Sequence, residues 1–136
     1  MRRGYGKARL RIIAFRKAGG GDKPRYGQMT VCWADTREKA IETAHKIWPN
    51  SGLKGDLNTE LRTVNHFEQV TAMVTKEDIA KAMPCGPDPQ PYIEEIQKFA
   101  EAGFDHIYIH QVGPDQAGFF RFFERELRDA VAVPVR

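Results

Sequence analysis

Apolar and polar residues first settle into a two-residue alternation between Tyr26 and Ala34, where Met29, Val31 and Trp33 alternate with Gln28, Thr30 and Cys32, the signature of a half-buried strand. From Thr36 to Trp48 the period lengthens to that of a helix, with Ala40, Ile41, Ala44, Ile47 and Trp48 on one stripe and Pro49 behind it. The turn before this helix offers Asp35 or Thr36 as its cap, with Glu38 in range of a capping box. Asn50 to Val64 holds Gly52, Gly55 and Asn58 without a period and reads as a surface excursion. Two short helices follow, one capped at Asn65 with Glu68 and one at Thr75 with Asp78, the second with Val74 and Ile79 spaced for a hydrophobic staple. Met83 to Cys85 makes a very short strand. Tyr92, Ile93, Ile96, Phe99 and Ala100 then form a buried helical stripe that starts at Pro89 and ends at Gly103. His106 to Val112 is the next strand, and Gln116 to about Arg128 the last helix, apolar at Phe119, Phe120, Phe123 and Leu127. Val131, Val133 and Val135 form a loose tail. In front of the first strand, residues 7 to 18 predict a short helix with Leu10, Ile13 and Ala14 on one face, ended by Gly19, Gly20 and Gly21.

The tripeptide Gly-Pro-Asp occurs at Gly86-Pro87-Asp88 and again at Gly113-Pro114-Asp115, 27 residues apart, each time between an apolar run and a helix. Glycine permits the tight turn, proline fixes φ, and Asp88 and Asp115 accept hydrogen bonds from the unpaired N–H groups of the following helix. Each copy also has a purely structural reading as turn plus cap. Three strand-then-helix units result, an α/β arrangement whose loops after the strands line a ligand-binding edge. Three parallel strands are too few for an independent sheet, because parallel strands are normally buried on both faces and bare edges invite pairing with other chains.

At 136 residues, 41% hydrophobic and 29% charged, the chain is sized for one globular domain, and no apolar run approaches the ~20 residues of a membrane span. Cys32 and Cys85 lie in different strands without metal-ligand spacing, which points to buried free thiols in a reducing cytosol. The net charge of +3 hides an asymmetry: nine of the 21 Lys and Arg residues lie between Arg2 and Arg25, where Asp22 is the sole acid. Such an arm suits phosphate contacts on nucleic acid or a transit peptide, but Tyr5 and Phe15 are its only aromatics, and a frayed helix explains it as well. Nucleic acid and membrane are therefore not expected partners.

Lys23-Pro24-Arg25-Tyr26-Gly27-Gln28, Trp48-Pro49-Asn50, His66-Phe67-Glu68-Gln69, Cys85-Gly86-Pro87-Asp88 and the run from Ala102 through Gly113-Pro114-Asp115-Gln116 closely resemble the luciferase-like oxidoreductases (the luciferase-like monooxygenase superfamily). The resemblance is to the branch dependent on coenzyme F420, a deazaflavin, which includes glucose-6-phosphate dehydrogenases, and it covers about residues 15 to 127. It implies an α/β fold that is a partial (β/α)8 TIM barrel, its C-terminal strands six to eight with their helices. Tyr26 to Ala34 would be the sixth strand and His106 to Val112 the eighth. On that basis residues 1–25 form a basic segment that matches poorly, 26–130 the C-terminal barrel part and 131–136 a tail, in a truncated or frameshifted open reading frame.

The resemblance further implies a cytoplasmic enzyme that moves a hydride between coenzyme F420 and a small organic substrate, with FMN the lesser cofactor alternative and no metal. The deazaflavin phosphate contacts and main catalytic residues would lie in the missing half, so this fragment is expected to be inactive. What remains would be substrate-pocket wall: Trp33, Cys85, Gly86, His110 and Gln111. By alternation His106, Tyr108 and His110 share one face of their strand while Ile107 and Ile109 share the other. His110 stands at the C-terminal end, where barrel enzymes place catalytic groups, and can donate a hydrogen bond or exchange a proton; equally it can be a histidine held in the barrel wall. His106 and His110 fall roughly 13 Å apart on a strand, which disfavours zinc. Two positions that hold sugar phosphate in the family fall at Ala82 and near Asn58, neither cationic, although Lys54, Arg62 or Lys81 lie close in sequence. The competing reading is a non-enzymatic chain that self-associates or pairs with another chain through its open edges.

Overall fold

In the strand Tyr26–Val31 (β1) Gly27, Met29 and Val31 are buried while Tyr26 and Gln28 are exposed, the alternation that the sequence carries. The computed structural model describes residues 3–131; Val133 and Val135 of the expected tail lie outside the described residues. β1 runs parallel to His106–Gln111 (β2) in continuous register from Tyr26 opposite His106 to Val31 opposite Gln111. On the other edge of β1, Cys85 adds one parallel bridge to Cys32: the Cys32 N–H donates to the Pro84 carbonyl and the Gly86 N–H to the Cys32 carbonyl, each at 3.0 Å.

This pairing corrects the expected strand order. β1 and β2 are nearest neighbours, so no strand lies between them, whereas a sixth and an eighth strand of a sequentially wound barrel need a seventh in the gap. Met83 to Cys85 contributes a bridge, not a strand, and it sits on the far side of β1. The cause is local: Pro84 has no N–H to give a ladder, and Gly86 turns the chain away at φ +98°. Three β/α units thus become two strands and a bridge.

The helices follow their caps. Arg37–Ile47 (α2) is capped by Thr36, whose hydroxyl accepts the Lys39 N–H at 3.2 Å; Lys39, not Glu38, holds the third helical position, so no capping box forms and Asp35 pairs with the Lys39 ammonium instead. The excursion after it contains a 3-10 turn at Pro49–Gly52 and a one-turn helix, Leu57–Glu60 (α3). Val64–Thr71 (α4) is capped by Thr63 rather than Asn65, because Thr63 holds the extended backbone that a cap needs, at φ −130° and ψ 153°. Lys76–Ala82 (α5) carries the expected capping box between Thr75 and Asp78, with Val74 and Ile79 buried in one cluster as a staple requires. Those hydrogen bonds and Lys54 lower the Asp78 carboxyl to about 2.

Gln90–Ala102 (α6) starts with the Gln90 N–H on Asp88 at 3.0 Å and ends at Gly103, φ +102°. Gln116–Phe122 (α7) starts with the Gly118 N–H on Asp115 at 2.7 Å and runs on as a π-helical turn to Leu127. Both Gly-Pro-Asp copies are therefore turn plus cap. The leading helix, Arg3–Phe15 (α1), packs against α6, but not by the expected face: Leu10 and Ile13 stay exposed, and Ile12 is the residue that rests near Gly103.

Burial falls on one side of the two-stranded ribbon. Met29 and Val31 pack with Tyr92 and Ile96 of α6, Phe119 and Phe122 of α7, and Leu127. A second cluster joins Cys32 and Cys85 to Ala40 and Ala44 of α2 and Ile79 of α5. The other side of the ribbon is open over Tyr26 and Tyr108, 52% and 63% exposed, and is covered just past its C-terminal end, where Cys32 and Val112 join the second cluster. Among the described residues no helix is long and apolar enough to cross a membrane.

Candidate functional site

The five residues singled out in the sequence separate into two structural clamps and one free side chain. Gln111, buried at the end of β2, spends both ends of its amide on Trp33: the Trp33 N–H donates to Oε1 at 2.8 Å and Nε2 donates to the Trp33 carbonyl at 3.2 Å. Gln116 in turn donates to the Gln111 and Gly113 carbonyls, at 3.1 and 2.7 Å. The Trp33 ring lies 6.1 Å from that of Phe122 on the helix-covered side. Trp33 and Gln111 thus tie the strand ends together, while the buried indole Nε1 of Trp33 has no hydrogen-bond partner.

Cys85 and Gly86 belong to the second clamp. The Gly86 carbonyl accepts the Tyr92 hydroxyl at 2.7 Å, and a side chain at this residue would meet the Arg37 backbone at 2.8 Å. Burial raises the Cys85 thiol to about 12 and Cys32 to about 11, so both are protonated and unreactive at neutral pH. Both cysteines are free, as expected.

His110 is different. It lies on the open side of the ribbon at the C-terminal end of β2, its ring edge-on to Trp48 at 5.0 Å between centres and 84° between planes. Its Nδ1 is buried and has no hydrogen-bond partner. Thr30 stands opposite it in register, Gln28 opposite Tyr108 and Tyr26 opposite His106. Tyr26 stacks on both neighbours across the strand, 4.6 Å from His106 and 5.7 Å from Tyr108. The result is an aromatic wall, closed at its C-terminal end by Trp48 and carrying the unpartnered buried Nδ1 of His110 and the hydroxyls of Thr30, Tyr26 and Tyr108. Such a surface can receive a flat or small neutral molecule and offer its oxygen a hydrogen bond or a proton from His110.

Thr30, Trp48 and Tyr26 were not anticipated as parts of this site. Thr30 and Tyr26 share the polar parity of β1, which the alternation showed; that this parity faces His110 depends on the register with a strand 80 residues away. Trp48 had been assigned to the buried stripe of α2, yet it caps that helix and is 37% exposed.

No protein-family model matches the chain. Among curated proteins it is similar to the F420-dependent glucose-6-phosphate dehydrogenases of Rhodococcus erythropolis, 26% identical over 100 residues, covering 74% of this chain and 29% of the relative. It is likewise similar to that of Nocardia farcinica, 28% identical over 103 residues, covering 76% and 30%. With the enzyme of Segniliparus rotundus it shares 28% identity over 82 residues, 60% of this chain and 24% of the relative. A solved F420-dependent secondary alcohol dehydrogenase, in complex with an F420-acetone adduct, superposes with a TM-score of 0.68 at 21% identity, covering 90% of this chain and 37% of that one. The chain thus spans less than two fifths of the length of each of these proteins. The curated relatives of this mixed α/β chain are F420-dependent glucose-6-phosphate dehydrogenases, in keeping with the resemblance at Cys85 to Gln116, and its fold matches a minor part of a larger chain.

Proposed function

We propose that the chain is the C-terminal part of a (β/α)8 barrel oxidoreductase in which coenzyme F420 exchanges a hydride with a small, uncharged organic substrate. The observation that carries this reading is the open ribbon face, with the unpartnered Nδ1 of His110 at the C-terminal end of β2. In a barrel the helices cover the outside of each strand and the opposite face lines the interior, with the chemistry at the C-terminal ends. α6 and α7 cover one face here, and the face left over is aromatic and neutral. Within a barrel β1 and β2 are then consecutive strands.

The deazaflavin supplies the hydride chemistry when bound. The residues present fit the substrate side of such a site: Trp48 and Tyr108 exclude water, and His110 holds or releases a proton at the substrate oxygen. They do not form a phosphate cradle. Lys54 is engaged by Asp78 at 3.2 Å and Lys81 by Glu77 at 2.5 Å, Ala82 and Asn58 carry no charge, and Arg62 is left as a lone exposed cation. A neutral alcohol or carbonyl compound therefore suits this wall better than a sugar phosphate, and the isolated chain, without the remaining walls, is inactive. The bare face and the open outer edge of β2 also favour self-association of the isolated chain.

The reading is tested by co-expressing the 136-residue chain with the part of the Rhodococcus erythropolis relative that precedes its matching segment, beside a control in which that relative is split at the same point and given its own second part. F420 is expected to bind the mixed complex, and His110→Ala to slow turnover by about 10²-fold or more without weakening F420 binding. A soluble, monodisperse mixed complex that fails to bind F420, when the control does bind it, overturns the proposal.

A further inference from the structure

A second concavity lies at the opposite end of the strands, between α1 and the start of β1. It encloses about 370 Å3, within the range of small-ligand sites. Its walls are Ile12 and Phe15 of α1, Pro24, Tyr26, and Phe104 from the turn before β2. Phe104 is braced by the Phe99 ring, 5.4 Å away and nearly edge-on.

Two guanidinium groups stand at the rim, Arg11 and Arg25. Arg25 is spent. It grips Asp105 through Nε at 2.8 Å and Nη2 at 2.6 Å, an ion pair that raises Arg25 and holds the Asp105 carboxyl below its usual range. Arg11 is exposed, and no carboxylate lines the cleft. α1 adds Lys7 and Arg9 and no acid, and Asp22 is the sole acidic residue before Arg25. An apolar cleft beneath an unmatched guanidinium is complementary to one kind of molecule, with an apolar tail to shield the rings from water and an anionic head.

We propose that this cleft binds an amphiphilic monocarboxylate, a medium-chain fatty acid or an acid of the same build, its tail on Phe15, Tyr26 and Phe104 and its carboxylate on Arg11. Decanoate, with a single apolar tail and one carboxylate, has this build and serves as the probe. The cleft shares Tyr26 with the aromatic wall, but Arg11 and Ala8 line the cleft alone and His110 lies at the far end of β2, so the two tests use different residues.

Calorimetric titration of the whole chain with sodium decanoate, below its micelle concentration, is expected to show saturable one-to-one binding. Arg11→Gln, at an exposed position, is expected to weaken decanoate by about tenfold or more while leaving 1-decanol unchanged. Ala8→Phe, which fills the cleft, is expected to abolish both. The proposal is overturned by no saturable decanoate binding, or by equal decanoate affinity in Arg11→Gln and the parent chain. Binding to phosphatidylglycerol vesicles without saturable decanoate binding also overturns it, and marks a membrane-facing patch instead.

Discussion

On the side of the ribbon that carries Met29, Val31 and Ile109, the rings of Tyr92, Phe119 and Phe122 close over the strands; on the side that carries Tyr26 and Tyr108, the rings lie open to solvent. Alternation alone assigns the first face to a core and the second to water. The open face nevertheless lacks the charges that keep a solvated sheet face apart from other chains. Tyr26, Gln28, Thr30, His106, Tyr108 and His110 include no Lys, Arg, Asp or Glu. A face that is aromatic, neutral and uncovered is built to be covered, which is the physical content of reading it as an interior wall.

If the covered face carries the stability of the chain, Tyr92 is the place to break it. Tyr92 is fully buried, touches Phe122 at 5.1 Å between ring centres, and holds the Gly86 carbonyl through its hydroxyl. Tyr92→Ala is expected to destabilise by about 3–5 kcal/mol, enough to unfold a chain with stability near the lower end of the usual range, as read from the urea midpoint. Tyr92→Phe removes the hydroxyl alone and is expected to cost about 1 kcal/mol. Equal losses in the two variants would mean that the Gly86 contact, and not the aromatic core, holds this side together.

A smaller effect is expected where the strands are tied at their ends. Gln111→Leu keeps the volume but strips the Trp33 N–H and carbonyl of their partners, at a cost of about 2 kcal/mol. A loss this size without any change in the environment of His110, followed by its imidazole NMR signals, would show that Gln111 serves the scaffold and His110 the open face. If the His110 signals move as well, the two faces are coupled through β2 and the contrast between them weakens.

What the sequence disclosed, and what it hid, divides by range. The capping box at Thr75 and Asp78, the start of α6 at Asp88 and its end at Gly103 are written within a few residues and were legible. Thr63 and Asn65 are both good cap formers, and the choice between them turned on backbone angles that composition does not reveal. The direct pairing of β1 with β2 joins residues 80 apart, and no local pattern states it. In the site, His110 was legible because strand parity and the strand end placed it. Gln111 and Gly86 were named on the same grounds, and their hydrogen bonds to Trp33 and Tyr92 are the part that no local pattern gives.

The smallest stability effect is expected on the open face, and there it carries the most information. Tyr26 and Tyr108 stack on one another but bury little, so the double substitution Tyr26→Ser, Tyr108→Ser is expected to shift the urea midpoint by the equivalent of about 0.5 kcal/mol or less. The same change removes two exposed rings of the ribbon, and sedimentation velocity on the isolated chain is expected to show weaker self-association as a result. A loss comparable to that of Tyr92→Ala would mean that the stack is itself a core. If association is undiminished while stability holds, the chains meet through the bare edge of β2 instead, where the unpaired N–H and C=O groups do not depend on either ring.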